Sequence, residues 1–203
     1  MAEQVPTGIV LAGGRSSRFG SDKASALFRG EAMLQIACRA LEPLISRLVI
    51  VRAEAQHLPD ITVTVPVDVV VDEMPAQGPL EGMRAGLGAA ASDVAFVVAT
   101  DLPLLQAATV EFILDALRAF DAAVPSVGGR AQPLVAAYRV ATTLSAVQGA
   151  LAAGDRSVAS ALGRLDVRLL DEEELRVVDP DLLSLRNANT PEQLAVLESL
   201  IGR

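Results

Sequence analysis

Gly8-Ile-Val-Leu-Ala-Gly-Gly-Arg-Ser-Ser-Arg-Phe-Gly-Ser-Asp-Lys23 stands near the start of the chain and governs how the rest is read. Four apolar residues, two of them β-branched, run without interruption into Gly13 and Gly14. Such a run predicts a strand buried on both faces, as in a parallel sheet covered by helices. The segment that follows spends its glycines and serines around Arg15, Arg18 and Lys23. Glycines let backbone N–H groups approach a ligand closely. A succession of such groups forms an anion-binding concavity, and the cations suit a polyphosphate. The structural alternative is a solvated turn that happens to be rich in glycine and charge. Neither of two common phosphate loops fits. Gly20 is followed by Ser21-Asp22-Lys23, where a P-loop needs Gly-Lys-Ser/Thr, and adjacent glycines do not make a dinucleotide fingerprint.

Beyond this segment the same pattern repeats. Arg47–Val51, Val67–Val71 and Val94–Val98 are further continuous apolar runs. Amphipathic stretches over about Ala32–Leu44, Leu80–Ala91 and Ala107–Ala119 predict the helices between them. Strand alternating with helix predicts an α/β fold, a three-layer α/β/α arrangement around a Rossmann-like, mostly parallel sheet. In such sheets ligands bind at the carboxyl ends of the strands, which directs attention to the residue after each strand. The remainder is less regular. Ala122–Val127 and Gln132–Arg139 read as strands joined through Gly128-Gly129-Arg130, followed by a helix over Ala141–Ala153. A last helix starts at Pro191 and runs through Ile201, with Asn189 or Thr190 as its cap.

Composition narrows the classes. The 203 residues predict one domain over 1–203, and 51% hydrophobic residues suffice for its core. Seventeen basic against 25 acidic residues leave a net charge of -8, which argues against a nucleic-acid partner. Cys38 is the single cysteine, so no intrachain disulfide forms, and within its helix it reads as a small buried hydrophobe. His57 has no second histidine or cysteine near it in the sequence and is read as a loop residue. The N-terminus lacks the pattern of a secretory signal, and no apolar run approaches the roughly 20 residues that span a bilayer. The expectation is a cytoplasmic protein without a membrane partner.

Leu-Ala-Gly-Gly-x-Ser-x-Arg-Phe-Gly-x-Asp-Lys resembles the signature of nucleoside-triphosphate-dependent nucleotidyltransferases, and within them most closely the molybdenum cofactor guanylyltransferases. Further segments agree in the same order: Asp72, Gly78-Pro-Leu-Glu-Gly82, Thr100-Asp-Leu-Pro-Leu-Leu105, Gln132-Pro-Leu134 and Asn187-Ala-Asn-Thr-Pro-Glu192. The resemblance implies a fold of the nucleotide-diphospho-sugar transferase type. It also implies transfer of GMP from GTP to molybdopterin, release of pyrophosphate, and magnesium as cofactor. By the same resemblance, residues to about 120 hold GTP and 121–203 face the acceptor. Transient contact with cofactor-delivery or molybdoenzyme proteins would follow.

Roles carry over residue by residue. The backbone of Leu11, Ala12, Gly13 and Gly14 would hold base and phosphates, with Lys23 and Arg18 offsetting developing charge. Asp101, just past a strand, would hold magnesium, a hard cation that takes oxygen ligands. Capping of the next helix is its structural alternative. Asp72 would serve guanine or ribose, help with the metal, or simply end its strand. Gly78 and Gly82 face a phosphate or pterin, or else allow a helix of small residues to pack tightly. Asn187 and Asn189, one residue apart, point to one side of an extended segment and would meet the acceptor. The chain departs from the family at Phe19 for Met, at Thr100 for Cys, and at Arg52, where Asn is common near the nucleotide. A cytidylyltransferase or a sugar-phosphate nucleotidyltransferase of the same fold is the nearest competing reading, and a non-catalytic nucleotide-binding adaptor the next.

Overall fold

The computed structural model describes residues 5–13, 23–72, 74 and 78–201. Strand β1 (Thr7–Leu11) lies at the heart of a large sheet, hydrogen-bonded in parallel to β4 (Arg47–Ala53) on one side and β6 (Val94–Ala99) on the other. Strand β5 (Val67–Asp72) extends the sheet beyond β4, in parallel. On the other flank β9 (Val135–Arg139) runs antiparallel between β6 and β7 (Ala122–Val127), and β10 (Val167–Leu170) closes that edge beside β7. The sheet is therefore mixed but mostly parallel, as the alternation of strand and helix predicts.

The reason lies in the strands themselves. Alternate residues face opposite sides. Ile9, Leu11, Val49, Val51, Ala95 and Val97 enter one core with helices α2 (Pro79–Gly88), α4 (Val140–Ala152) and α5 (Val158–Leu162). Val10, Leu48, Ile50, Phe96 and Val98 enter the other with α1 (Met33–Leu41) and α3 (Ala107–Leu117). Each fully buried Val, Ile or Leu contributes roughly 1.5–3 kcal/mol, so strands that are apolar at every position belong between two helical layers. Helix α2 lies especially close. A Cβ on Gly86 would come within 2.5 Å of Ile9 and 3.1 Å of Val51, so the small-residue packing expected for this helix is real.

Several boundaries moved. The helix expected over Ala32–Leu44 is α1 followed by a 3-10 turn at Glu42–Leu44, because Pro43 cannot donate an amide to a continuing helix. The hairpin of the second half pairs β7 with the short β8 (Arg130–Ala131) around Gly128 and Gly129. Residues 132–134, expected in a strand, form the turn that leads into β9. Five small elements had no sequence signal. They are the two-residue pair β2 (Leu27–Phe28) and β3 (Glu31–Ala32), α5, β10, and α6 (Glu172–Leu175). Helix α7 (Pro191–Ile201) matches expectation and packs Leu194 and Leu197 against Phe28, Met33 and Ile36. Among the described residues no helix is long and apolar enough to cross a membrane.

Candidate functional site

Strands β1, β4, β5 and β6 end on one edge of the sheet, and the residues singled out in the sequence gather along it. Ala12 and Gly13 leave β1 together: both amides donate to the Val51 carbonyl, at 2.8 and 3.0 Å. Gly14, Arg15 and Arg18 lie outside the described residues. The chain returns at Lys23, in a 3-10 turn over Lys23–Ser25.

Lys23 Nζ donates to Asp101 Oδ2 at 3.1 Å and to Asn189 Oδ1 at 2.8 Å. Asn187 Nδ2 reaches the same Asp101 oxygen at a long 3.4 Å. Residues from three remote parts of the chain thus meet around one ammonium group. The side chains of Lys23 and Asp101 are 17 and 16% exposed, shielded enough for their charges to act strongly and open enough for a ligand to reach them.

The two asparagines owe their position to the residue between them. Ala188 is fully buried beneath α7, and its amide donates to the Asp101 carbonyl at 2.8 Å. An extended segment that buries its middle residue presents both neighbours outward, and Asn187 and Asn189 are both exposed. Capping does not occupy Asn189. The Gln193 amide instead finds the Thr190 hydroxyl at 3.3 Å, and the Gln193 side chain accepts from the Asn189 amide at 2.6 Å. Asp101 is no helix cap either: α3 begins after Gln106 without a side-chain cap.

Asp72 sits at the far flank. The ends of β5 and β6 are three strand spacings apart, about 14 Å. Two carboxylates on one magnesium ion must both bring oxygens to about 2.1 Å, so Asp72 is not placed to share an ion with Asp101. Its Oδ1 accepts from the Met74 amide at 2.9 Å, the turn-forming role, while its Oδ2 lies against Gly82. Burial raises its carboxyl above the ordinary value of 3.8, and nearby Glu81 pushes the same way against the Met74 amide and Arg84. Glu81 itself is 7% exposed and paired with Arg84 at 2.8 Å.

Gly78 opens α2 at φ +92°, a conformation that side chains resist, and Pro79 follows at the first helical position. A Cβ on Gly78 would stand 3.5 Å from the Arg156 carbonyl, which brings the exposed Arg156 to the mouth of this helix. Gly82, one turn further on, faces Leu11 and Asp72 in the packed layer. Glu81, Arg156 and Gln56 escaped the sequence reading because their places depend on contacts from distant segments. His57 lies in a loop as expected and is exposed, and Cys38 is buried, its thiol pushed up to about 12 chiefly by burial.

For a divalent cation, Asp101 offers a hard oxygen donor, with the Asn187 amide nitrogen and the Lys23 ammonium on the same oxygen. Among the described residues no group of three or more His, Cys, Asp or Glu could hold a metal. A single carboxylate suits magnesium, which keeps waters and takes oxygens from substrate phosphates. It does not suit a structural zinc site, which needs four ligands.

A family model for the MobA-like NTP transferase domain matches residues 8–168. The chain belongs to the MobA-like NTP transferase family. Its similarity extends past the domain boundary, through the asparagine arm. The "Probable molybdenum cofactor guanylyltransferase" of Chloroflexus aggregans is 35% identical over 97% of this chain and 95% of its own length. The molybdenum cofactor guanylyltransferase of Desulfosudis oleivorans is 32% identical, covering 96% and 95%. Among solved structures, molybdopterin-guanine dinucleotide biosynthesis protein A from Archaeoglobus fulgidus superposes with a TM-score of 0.78 over 97% of this chain and 98% of its own. At 23% identity that likeness speaks for the fold, a mixed, mostly parallel sheet flanked by helices.

Proposed function

We propose that this MobA-like NTP transferase moves GMP from GTP onto the terminal phosphate of molybdopterin. An acceptor oxygen attacks the α-phosphorus of GTP, the bond from that phosphorus to the β-phosphate oxygen breaks, and pyrophosphate departs. The acceptor oxygen is already anionic, so no protein nucleophile and no general base is needed. Catalysis rests on alignment and on charge neutralisation. The observation that carries this reading is the meeting of Lys23, Asp101 and Asn189 at the carboxyl edge of the sheet, beside the exit of β1.

In this reading the Leu11–Gly14 backbone receives the nucleotide, and Lys23 and Arg18 offset the charge that develops on the phosphates. Asp101 would hold magnesium, which supplies further positive charge to phosphate oxygens. Lys23, held between Asp101 and Asn189, keeps its ammonium beside the place where the phosphates would lie. Asp72 serves the nucleotide on the opposite flank. Gly78, Asn187 and Asn189 border the acceptor, joined by Arg156, whose guanidinium suits an acceptor phosphate, while Gly82 keeps to its packing role against Leu11 and Asp72. Residues to about 120 then carry chiefly the nucleotide and the rest chiefly the acceptor, with Asn189 crossing from one to the other. The same reading places the reaction in the cytoplasm, where nucleoside triphosphates are available.

The relatives' names and the fit of Asp101 to a magnesium–phosphate complex support guanylyl transfer over a binding role without chemistry. The test is magnesium-dependent pyrophosphate release from GTP or CTP with molybdopterin as acceptor. Release with GTP well above that with CTP is expected. Preference for CTP would replace the nucleotide assignment, and no release with either would remove the enzymatic one.

A further inference from the structure

Arg52 stands at the carboxyl end of β4, where it could have reached a nucleotide, yet its side chain is engaged elsewhere. Nη1 donates to the carbonyls of Ala53, Glu54 and Gln56, at 2.9, 2.6 and 3.2 Å. The guanidinium therefore folds the tail of β4 back on itself and brings Gln56 toward β1. There the Gln56 amide makes two bonds across the strand ends. Nε2 donates to the Ala12 carbonyl at 2.9 Å, and Oε1 accepts from the Ala53 amide at 3.0 Å.

These bonds complete a clasp. The Ala12 and Gly13 amides already donate to Val51. Gly13 lies so close that a Cβ there would be 3.1 Å from the Ala53 nitrogen and 3.3 Å from the Arg52 carbonyl carbon. With Gln56 on the Ala12 carbonyl, both ends of the Ala12 residue are held, and the direction in which the chain leaves β1 is set. We propose that Gln56 is a positioning residue for the nucleotide site, aligning the Ala12–Gly13 backbone that receives the triphosphate. The inference rests on the functional reading above and extends it to a residue that does not touch the substrate.

Removing the side chain leaves the partly buried Ala12 carbonyl and Ala53 amide without these partners, which loosens the loop's starting direction. The full chain, titrated with magnesium–GTP by calorimetry, tests this. Gln56→Ala should weaken GTP binding about tenfold, the scale of one lost partner for a buried polar group. In the transfer assay KM for GTP should rise about tenfold while KM for molybdopterin stays within about twofold. Gln56→Glu keeps an acceptor for the Ala53 amide but has no donor for Ala12, so it should resemble Gln56→Ala. An unchanged GTP affinity in Gln56→Ala, or equal rises in both KM values together with a lower melting temperature, overturns the positioning role. Failure of the wild-type chain to bind GTP overturns the functional reading as well, and shows itself before any variant is compared.

Discussion

Lys23 holds two acceptors, Asp101 and Asn189, that themselves sit 88 positions apart in the chain, so its charge fixes the relative position of two loops before any substrate arrives. Replacing it removes a charge placed where the phosphate chain would lie. Lys23→Ala should lower kcat by about a hundredfold or more, the usual cost of one preorganised charge donor, as steady-state transfer assays would show. Asp101→Asn should lose magnesium-dependent turnover yet keep its fold, since the Ala188 amide bonds the Asp101 backbone and not its carboxylate. Full activity in that variant would exclude Asp101 as the metal's holder. Asp72 yields a pH signature. Burial raises its folded-state value above 3.8, so the native state binds this proton more tightly than the unfolded chain does. Its contribution to stability therefore falls as pH rises through the folded value, and at pH 7 the buried charge is a cost. Asp72→Asn keeps an acceptor for the Met74 amide without the charge. It should melt above the wild type at pH 7, and the difference should disappear as pH falls below 3.8. An advantage that persists there would refute burial as the cause.

At the scale of elements, helix α2 is the most constrained. Its Gly86 faces Ile9 and Val51 with no room for a side chain, whereas nothing lies within 4 Å of a Cβ on Gly88 in the same helix. Gly86→Val should therefore cost about 1–3 kcal/mol, with a melting temperature lower by several degrees in a protein of this size. Gly88→Ala should be neutral or slightly stabilising, because alanine restricts the unfolded chain without meeting a neighbour. Equal losses in the two variants would mean that helix propensity, not contact with the sheet, sets the cost. The legibility of elements follows the same physics. Strands β1, β4 and β6 were readable because burial on both faces leaves them apolar at nearly every position. Strand β10, Val167-Arg-Leu-Leu170, has four residues with only Leu170 buried, and owes its existence to pairing with β7. No local pattern announces such a strand. The β2–β3 pair has two residues in each strand, too few for any periodicity.

For the molecule as a whole, a net charge of -8 surrounds a site that would receive a polyanion. Binding must then depend on local donors and on the cation that accompanies the nucleotide. Magnesium–GTP at about 100 times its Kd should stabilise the fold by about 2.7 kcal/mol, a rise of roughly 5–10 °C in melting temperature. CTP should give much less, and a larger rise with CTP would reverse the assignment of the base.

The strand β1, the run of strand-end residues and the covering helices were all legible along the chain, since each arises from hydrophobic periodicity or from residue types within a few positions of one another. Lys23, Asp101, Asn187 and Asn189 could each be singled out in this way. The direct bonds of Lys23 to Asp101 and Asn189, with Asn187 on the same Asp101 oxygen, could not. Nor could the choice of Thr190 over Asn189 as helix cap, the separation of Asp72 from Asp101, the Arg156 loop beside Gly78, or the grip of Gln56 on Ala12. Those depend on strand order and on backbone segments brought together by burial, and neither is encoded in any local stretch of residues.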